Sequence, residues 1–292
     1  MSWLQLHIDI NRDAEQQFEQ ILLGLGAVSV TLSDASDQAI LEPGVGQTPL
    51  WNQLTLSALF PSDTDTDTIL LQLCAQTGAS LPTWRWETLE DEVWETRWQN
   101  DFKPLQCGRR LWICPSWCEP PRPDAVNLQL DPGLAFGTGT HPTTFLCLEW
   151  LEGLVLEGKT FIDYGCGSGV LAIASLALGA DHASAVDNDP QALSASADNA
   201  QRNAIEPERL TISTPETMIA NPSDYLVANI LAGPLIELAQ TLGDLVKNGG
   251  AICLSGILTS QHNAVSNAYK SAFTLEPPVE QDGWLRLVGY KR

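Results

Sequence analysis

The chain has 292 residues, of which 44% are hydrophobic, and its 36 acidic residues against 15 basic ones give a net charge of −21. This length predicts about two domains, and the apolar fraction is enough for a buried core. So negative a charge argues against binding to a nucleic acid backbone and favours a basic partner, with solubility alone as the equal alternative.

The cellular location is expected to be the cytoplasm. The start, MSWLQLHIDI, has no basic leader followed by an apolar stretch, and no apolar run reaches a membrane-spanning length. The seven cysteines are odd in number and scattered, which is typical of a reducing compartment. Neither they nor the four histidines have the spacing of a metal site. We therefore expect a cytoplasmic monomer without metal.

The first part of the chain predicts a small α+β domain. Its apolar residues alternate with a period of two in four segments and with helical spacing in two others. In chain order these segments are 4–10, 13–25, 28–32, 54–58, 64–77 and 81–86. The order β-α-β-β-α-β is that of a ferredoxin-like domain, which we place at residues 1–86.

A tryptophan-rich segment follows, and residues 87–122 are assigned to a linker. Trp94, Trp98 and Phe102 fall at i, i+4 and i+8, on one face of a helix. They predict an apolar seam between two domains, and a stacking platform for nucleic acid bases is the alternative.

From residue 123 to 292 the pattern predicts a second domain. The strand candidates are 161–164, 183–187, 210–213, 225–229 and 251–255. Helical runs lie between most of them, so we expect a Rossmann-like α/β fold with a parallel sheet and helices on both faces. The last stretch, FTLEPPVEQDGWLRLVGYKR, predicts two antiparallel strands at the sheet edge.

Three short motifs are rejected because of their context. GLVLEGKT, residues 153–160, has the letters of a phosphate-binding loop, but its strand follows the motif instead of preceding it. DTDTD, residues 63–67, lacks the glycine and the glutamate of a calcium loop and predicts a helix start. NPSDY, residues 221–225, resembles a methyltransferase site but lies on the wrong side of its strand.

FIDYGCGSG, residues 161–169, is the strongest functional signal. Its glycines turn the chain from a strand into a helix, where backbone amides bind anionic ligands. A dinucleotide site has G-x-G-x-x-G, whereas Val170 here replaces the third glycine. The shorter turn favours a ligand with a single carboxylate, such as S-adenosylmethionine. Asp163, Gly165 and Gly167 are therefore candidate cofactor contacts.

Two side chains at the ends of later strands complete a predicted crevice. Asp187 lies about 20 residues after the glycines, where a carboxylate can accept hydrogen bonds from both ribose hydroxyls. Helix capping is its alternative, and we assign that role to Asp189. Asn229 faces the same crevice, where its amide carbonyl can accept an N–H from an amine nucleophile. A capping or turn role is the alternative for Asn229.

The loop DPGLAFGTGTHPTT, residues 131–144, is rich in small and hydroxyl-bearing residues and precedes a helix. Packed over a cofactor, such a loop supplies backbone and hydroxyl donors, and Thr143 and Thr144 stand at the helix start. His141 is a candidate catalytic residue, and capping of the helix is its alternative.

Together these stretches make the chain resemble the bacterial ribosomal protein L11 methyltransferases. The resemblance rests on FGTGTHPTT, DYGCGSG, VDNDPQAL and NILAGPL, and extends through WETRWQNDFKP over essentially the whole chain. It implies a ferredoxin-like domain that recognises the ribosomal protein, a linker with tryptophan and a seven-stranded methyltransferase domain. It also implies cofactor contacts at Thr144, Gly165, Asp187 and Asn229, and repeated N-methylation of lysine side chains and the N-terminal amine.

The contact with adenine is left open by the resemblance. STPETM follows the third strand without a Gly-Asp signature, and Glu216 is the candidate.

Three other functions stay open at this point. A nicotinamide oxidoreductase would have a similar sheet and ribose acid but predicts G-x-G-x-x-G. A sensor that only binds the cofactor would need no crevice with an asparagine. A methyltransferase of another protein or of a small amine is the third alternative.

Overall fold

The computed structural model describes residues 2–36, 50–78, 81–90, 102–131, 137 and 139–292. The chain forms two compact units, Met1–Arg97 and Trp98–Arg292, and their boundary falls inside the segment assigned to a linker. Trp94 and Trp98, on which the predicted apolar seam depends, lie outside the described residues. Within the described ranges, no helix combines the length and hydrophobicity needed to cross a membrane.

The first unit is an antiparallel sheet packed against two helices. Its elements are β1 (Trp3–Asn11), α1 (Glu15–Gly24), β2 (Ser29–Asp34), β3 (Gln53–Pro61), α2 (Thr66–Thr77) and β4 (Trp84–Leu89). The strand order is β2-β3-β1-β4 with every neighbouring pair antiparallel. Alternate residues of β1, Leu6 and Ile8 among them, are buried in one core with Phe18 and Leu22 of α1. This arrangement confirms the predicted ferredoxin-like order.

The DTDTD segment begins a helix, as predicted. The Asp65 carboxylate accepts the backbone N–H groups of Asp67 and Thr68 at 3.1 and 3.4 Å, which satisfies donors that have no partner within the helix. Gly78, in the left-handed conformation with φ +67°, ends α2.

A three-stranded sheet opens the described part of the second unit. It consists of β5 (Leu105–Cys107), β6 (Leu111–Cys114) and β7 (Val126–Gln129). β5 and β6 lie inside residues 87–122, and Leu111 and Ile113 are buried in the same core as Leu148 and Leu151. This part of the linker segment is therefore packed into the second unit.

The remaining elements of the second unit are the strands of its main sheet and the helices that accompany them. The strands are β8 (Thr160–Tyr164), β9 (His182–Val186), β10 (Leu210–Ser213), β11 (Ser223–Asn229), β12 (Val246–Leu258), β13 (Phe273–Leu275), β14 (Val279–Gln281) and β15 (Trp284–Lys291). The helices are α3 (Pro142–Glu152), α4 (Val170–Ala177), α5 (Pro190–Arg202), α6 (Ala232–Glu237), α7 (Ala239–Asp244) and α8 (His262–Tyr269). The order β10-β9-β8-β11-β12-β15-β13 confirms a Rossmann-like sheet of seven strands in line, and β14 adds an eighth beside β15.

We predicted two strands in the last stretch of the chain, but the structure contains three, so the predicted number was wrong. Residues 273–292 form three strands, β13, β14 and β15. Pro277 and Pro278 separate the first two, because a proline has no backbone N–H to donate to a sheet. β15 pairs with β12 in the antiparallel sense, as expected for this edge.

The strand order reverses direction between β8 and β11. These two strands are parallel neighbours, while the chain after β8 goes to β9 on the other side. In open α/β sheets, ligands bind beyond the carboxyl ends of the strands at such a reversal. The glycine loop follows β8, and Asn229 ends β11, so both lie at this point.

Candidate active site

The glycine loop curves over the end of β9. Gly165 and Gly169 have φ values of +79° and +75°, which favour glycine, and Gly169 is the N-cap of α4. A Cβ at Gly165 would overlap the side chain of Ile230. The backbone N–H groups of Gly165 and Cys166 donate to the carbonyl of Val186 at 2.7 and 3.0 Å. The loop is therefore held close to the strand that precedes Asp187.

Asp187 is fixed by the loop that it faces. Its Oδ2 accepts the N–H of Gly167 at 2.9 Å, and its Oδ1 accepts the N–H of Asp189 at 3.0 Å. The helix cap belongs to Asp189, whose carboxylate accepts the N–H of Gln191 at 2.9 Å. A carboxylate has about four acceptor positions, so Asp187 keeps acceptor capacity for a ligand.

Asn229 is oriented by Thr144. Its Nδ2 donates to Thr144 Oγ1 at 3.2 Å, across 85 residues of sequence. Its Oδ1 is buried and has no hydrogen-bond partner among the described residues. Because buried polar groups are normally paired, this oxygen is a candidate acceptor for a donor that the described residues do not supply.

Three cavities meet around Asn229 and the glycine loop. The first, about 220 Å³, is lined by Gly165, Gly167, Asp187, Thr144 and Asn229 among others. The second, about 520 Å³, is lined by Tyr164, Asn188, Pro215, Glu216 and Leu238 among others, and shares Asp187 with the first. The third, about 270 Å³, is lined by His141, Thr143, Asn229, Ile230, Leu231, Gly256 and Trp284. Asn229 and Ile230 border both the first cavity and the third.

The chain matches a known protein family over nearly its whole length. The family model described as Ribosomal protein L11 methyltransferase (PrmA) matches residues 2–292. The chain belongs to the ribosomal protein L11 methyltransferase family.

Similar proteins extend this assignment over the full length. The ribosomal protein L11 methyltransferase of Azotobacter vinelandii is 54% identical over 292 residues, with both chains covered completely. That of Pseudomonas putida strain F1 is 53% identical, again with both chains fully covered. The crystal structure of a ribosomal protein L11 methylase from Lactobacillus delbrueckii subsp. bulgaricus matches with a TM-score of 0.58 at 31% identity, over 65% of this chain and all of that one.

Membership confirms the predicted methyltransferase activity and S-adenosylmethionine as the methyl donor. It removes the oxidoreductase and the non-catalytic sensor from the alternatives. Five of the seven positions predicted for the cofactor, Thr144, Gly165, Gly167, Asp187 and Asn229, line the first cavity. Thr143 lines the third cavity instead.

His141 caps a helix and also lines the third cavity. It is the N-cap of α3, and its Nδ1 lies 3.3 Å from the backbone nitrogen of Thr143 and 2.7 Å from the Thr143 hydroxyl oxygen. Burial lowers the pKa of His141, which keeps the imidazole neutral at pH 7. Its ring also makes an edge-to-face contact with Trp284, with 5.1 Å between ring centroids.

Asp163 lies behind the glycine loop. The side chain is fully buried, and its Oδ2 accepts the N–H of Ala172, in the first turn of α4, at 3.1 Å. Among the described residues it does not line the three cavities, so its contact with the cofactor stays a prediction. Burial, and to a smaller degree the charge of Asp187, raises the pKa of Asp163 to about 7.

The raised pKa of Asp163 predicts how the free energy of unfolding depends on pH. The unfolded chain ionises Asp163 near pH 4, whereas the folded chain holds the proton up to about pH 7. The free energy of unfolding should therefore decrease as pH rises between these values, by about 1.4 kcal/mol for each unit of raised pKa. Asp163→Asn removes this titration, and urea unfolding between pH 4.5 and 7.5 should show a flatter pH dependence than wild type.

The matched control is Asp198→Asn, at an exposed position on α5. It should keep the wild-type pH dependence. Equal slopes for wild type and the Asp163 variant would contradict the raised pKa.

Trp284 is the main residue of the site that sequence reasoning missed. It begins β15, and the pairing of β15 with β12 places it opposite Leu258. No motif surrounds it in the sequence, so its position in the third cavity depends on the antiparallel edge of the sheet. Gly256 was missed for the same reason, whereas Leu231 lies within the NILAGPL motif and only its side-chain placement was missed.

Proposed function

We propose that the chain transfers methyl groups from S-adenosylmethionine to lysine side chains and the N-terminal amine of ribosomal protein L11. The observation that supports this most directly is Asn229, which borders both the first and the third cavity and whose buried Oδ1 has no hydrogen-bond partner among the described residues. The first cavity has groups suited to S-adenosylmethionine, the methyl donor. The third cavity suits an apolar side chain that ends in an amine.

The first cavity fits the cofactor chemically. A side chain at Gly165 would collide with Ile230, which lines the same cavity, and the N-terminal end of α4 attracts a carboxylate. Asp187 offers a fixed carboxylate for two ribose hydroxyls, and Thr144 offers a hydroxyl. Glu216 lines the adjoining second cavity, where we propose that it contacts adenine. Hydrogen bonds from its own backbone N–H and from Thr214 lower the pKa of Glu216, so it is ionised at pH 7.

The third cavity favours an uncharged amine. A free lysine has a pKa near 10.4, and the amine must lose its proton before it can act as a nucleophile. Among the described residues, no Asp, Glu, Lys or Arg lines this cavity, so desolvation is not offset by a counter-charge and lowers the pKa of the amine. Asn229 Oδ1 can accept one N–H and aim the nitrogen lone pair, while S-adenosylmethionine supplies an already activated methyl group.

Positioning is the main contribution of the protein under this proposal. Correct orientation of two reactants can be worth about 7–11 kcal/mol of the barrier. The hydrogen bond from Asn229 Nδ2 to the Thr144 hydroxyl fixes the amide and leaves its Oδ1 for the proposed bond to the amine. Water takes the released proton, because His141 Nδ1 already accepts from Thr143 and the other ring nitrogen of the neutral imidazole carries the ring proton. His141 contributes its neutral ring to the wall of the third cavity.

The ferredoxin-like domain, residues 1–86, is proposed to recognise the ribosomal protein. It contains ten acidic and two basic side chains. Such a surface attracts a partner rich in lysine and speeds up encounter with it. The second unit contains all of the cofactor-facing residues, so recognition and chemistry can be separated experimentally.

Methyl-labelled S-adenosylmethionine and purified ribosomal protein L11 test the proposal. Peptide mapping should place the label on lysine side chains and the N-terminal amine. A chain reduced to residues 87–292 should methylate L11 at least about 100-fold more slowly, a loss of ~2.7 kcal/mol of recognition. Calorimetry should show unchanged binding of S-adenosylmethionine.

Two results would contradict this assignment. Label on another ribosomal protein in place of L11 would identify a different substrate. Undiminished methylation of L11 by residues 87–292 would remove the recognition role from the leading domain, provided that the shortened chain still binds the cofactor.

A further inference from the structure

Trp284 is a large aromatic side chain at the amine cavity without a role in the function proposed above. It is half-buried, and its indole lines the third cavity together with His141, Leu231 and Gly256. The cavity surface is mostly carbon, and its lining includes Asn229, whose buried Oδ1 has no hydrogen-bond partner among the described residues.

The backbone holds Trp284 at this place. β12 has a register shift relative to β15 between Leu254 and Ile257, and Gly256 lies within it with φ +81°. A Cβ at Gly256 would overlap the backbone carbonyl of Ile230. Gly256 therefore allows β12 to pass close to the segment after Asn229. Ile257 then pairs with Leu285, and Leu258 pairs with Trp284.

Repeated methylation changes what the cavity must hold. In each transfer the nitrogen lone pair forms the new N–C bond, the C–S bond breaks with its electron pair on sulfur, and the positive charge moves from sulfur to nitrogen. The methylated ammonium then loses a proton to water before the next round. Each round also removes one N–H, so the third-round amine has none left to donate to Asn229 Oδ1.

Another contact is therefore needed as methylation proceeds. An aromatic ring attracts a cation through its quadrupole, and methylated ammonium groups are bound in this way because they are weakly hydrated. The described lining of the third cavity has no carboxylate, so the indole of Trp284 is its strongest partner for a methylated cation.

We propose that Trp284 is a positioning residue that holds the mono- and dimethylated amine in the third cavity between rounds. Asn229 orients the first-round amine, and Trp284 becomes the more important contact as N–H groups are replaced by methyl groups. This inference rests on the proposed amine site, and it adds the means by which one amine is carried to full methylation.

The test compares Trp284→Phe with Trp284→Leu in the full chain. With L11 in excess over enzyme, mass spectra should show that the leucine variant accumulates mono- and dimethylated sites, because the second and third rounds lose more rate than the first. The KM for dimethylated L11 should rise about tenfold, as expected for the loss of a cation–π contact. The phenylalanine variant should lie between wild type and the leucine variant.

A binding measurement gives a readout independent of turnover. Calorimetry with trimethyllysine amide should give weaker binding to the leucine variant than to wild type, whereas unmethylated lysine amide should show little change. Trp150→Leu is the matched control, because Trp150 makes an edge-to-face contact with Tyr225 and does not line the cavity. It should keep the wild-type product distribution.

The failure of this inference can be told apart from failure of the proposed function. If wild type carries amines to full methylation and the leucine variant does the same with unchanged KM, Trp284 has no such role. If the leucine variant loses the first round or cofactor binding as well, Trp284 is only structural. If wild type adds no methyl group to any amine, the proposed function itself is wrong.

Discussion

Asp187→Ala should weaken binding of S-adenosylmethionine by about 100-fold or more. A hydrogen bond to a charged group contributes about 1.5–3 kcal/mol, and under our proposal the carboxylate accepts two from the ribose. The substitution also releases the N–H of Gly167, which Asp187 Oδ2 now holds at 2.9 Å, so the glycine loop loses an anchor. Isothermal titration calorimetry of the cofactor measures the loss directly.

Asp189→Ala is the control for this experiment. Asp189 lies two residues away, is exposed and caps α5 through Gln191. Its loss should cost about 1 kcal/mol of stability and leave cofactor affinity nearly unchanged. Similar affinities for the Asp187 and Asp189 variants would mean that the ribose contact has been placed on the wrong residue.

Asn229→Ala should slow the first methylation by about 10- to 100-fold and the last one much less. The amide oxygen can orient an amine only while that amine has an N–H to donate, and a dimethylamine has none. The rates are to be compared at saturating S-adenosylmethionine, because Asn229 also lines the cofactor cavity. Mass spectra of L11 over time separate the three rounds.

Thr144→Val tests the role of Asn229 in a second way, by removing the hydrogen bond that orients its amide. It removes the hydroxyl that accepts from Asn229 Nδ2 at 3.2 Å, so the amide is free to rotate. We expect the same pattern with a smaller effect. Equal slowing of all rounds by Asn229→Ala would remove the proposed bond between its oxygen and the amine.

Local signals in the sequence predicted the elements and the cofactor loop. Apolar periodicity and turn residues depend only on neighbours in the chain, so the ferredoxin-like order and the strand-glycine-helix segment at 161–177 were visible. The same holds for the cap at Asp189, because Pro190 follows it directly. The number of strands at the end of the chain was predicted wrongly, because Pro277 and Pro278 divide one predicted strand into two.

The side-chain geometry of the site could not be predicted from local periodicity and turn residues. The sequence indicates Asp163 and Asp187 as acids near a glycine loop, but it does not show that Asp163 turns back to Ala172 while Asp187 bonds to Gly167. Nor does it show which atom of Asn229 is left for a ligand, since the answer depends on Thr144.

The order of residues in the chain was enough to predict the order of the elements, the glycine loop and the acids and amide near that loop. The orientation of Asn229, the burial of Asp163 and the placement of Trp284 beside the third cavity could be seen only in the folded chain. The physical reason is that these three features depend on which strands and helices become neighbours. Neighbours of that kind are separated by tens of residues in the chain, where no local periodicity or turn preference records them.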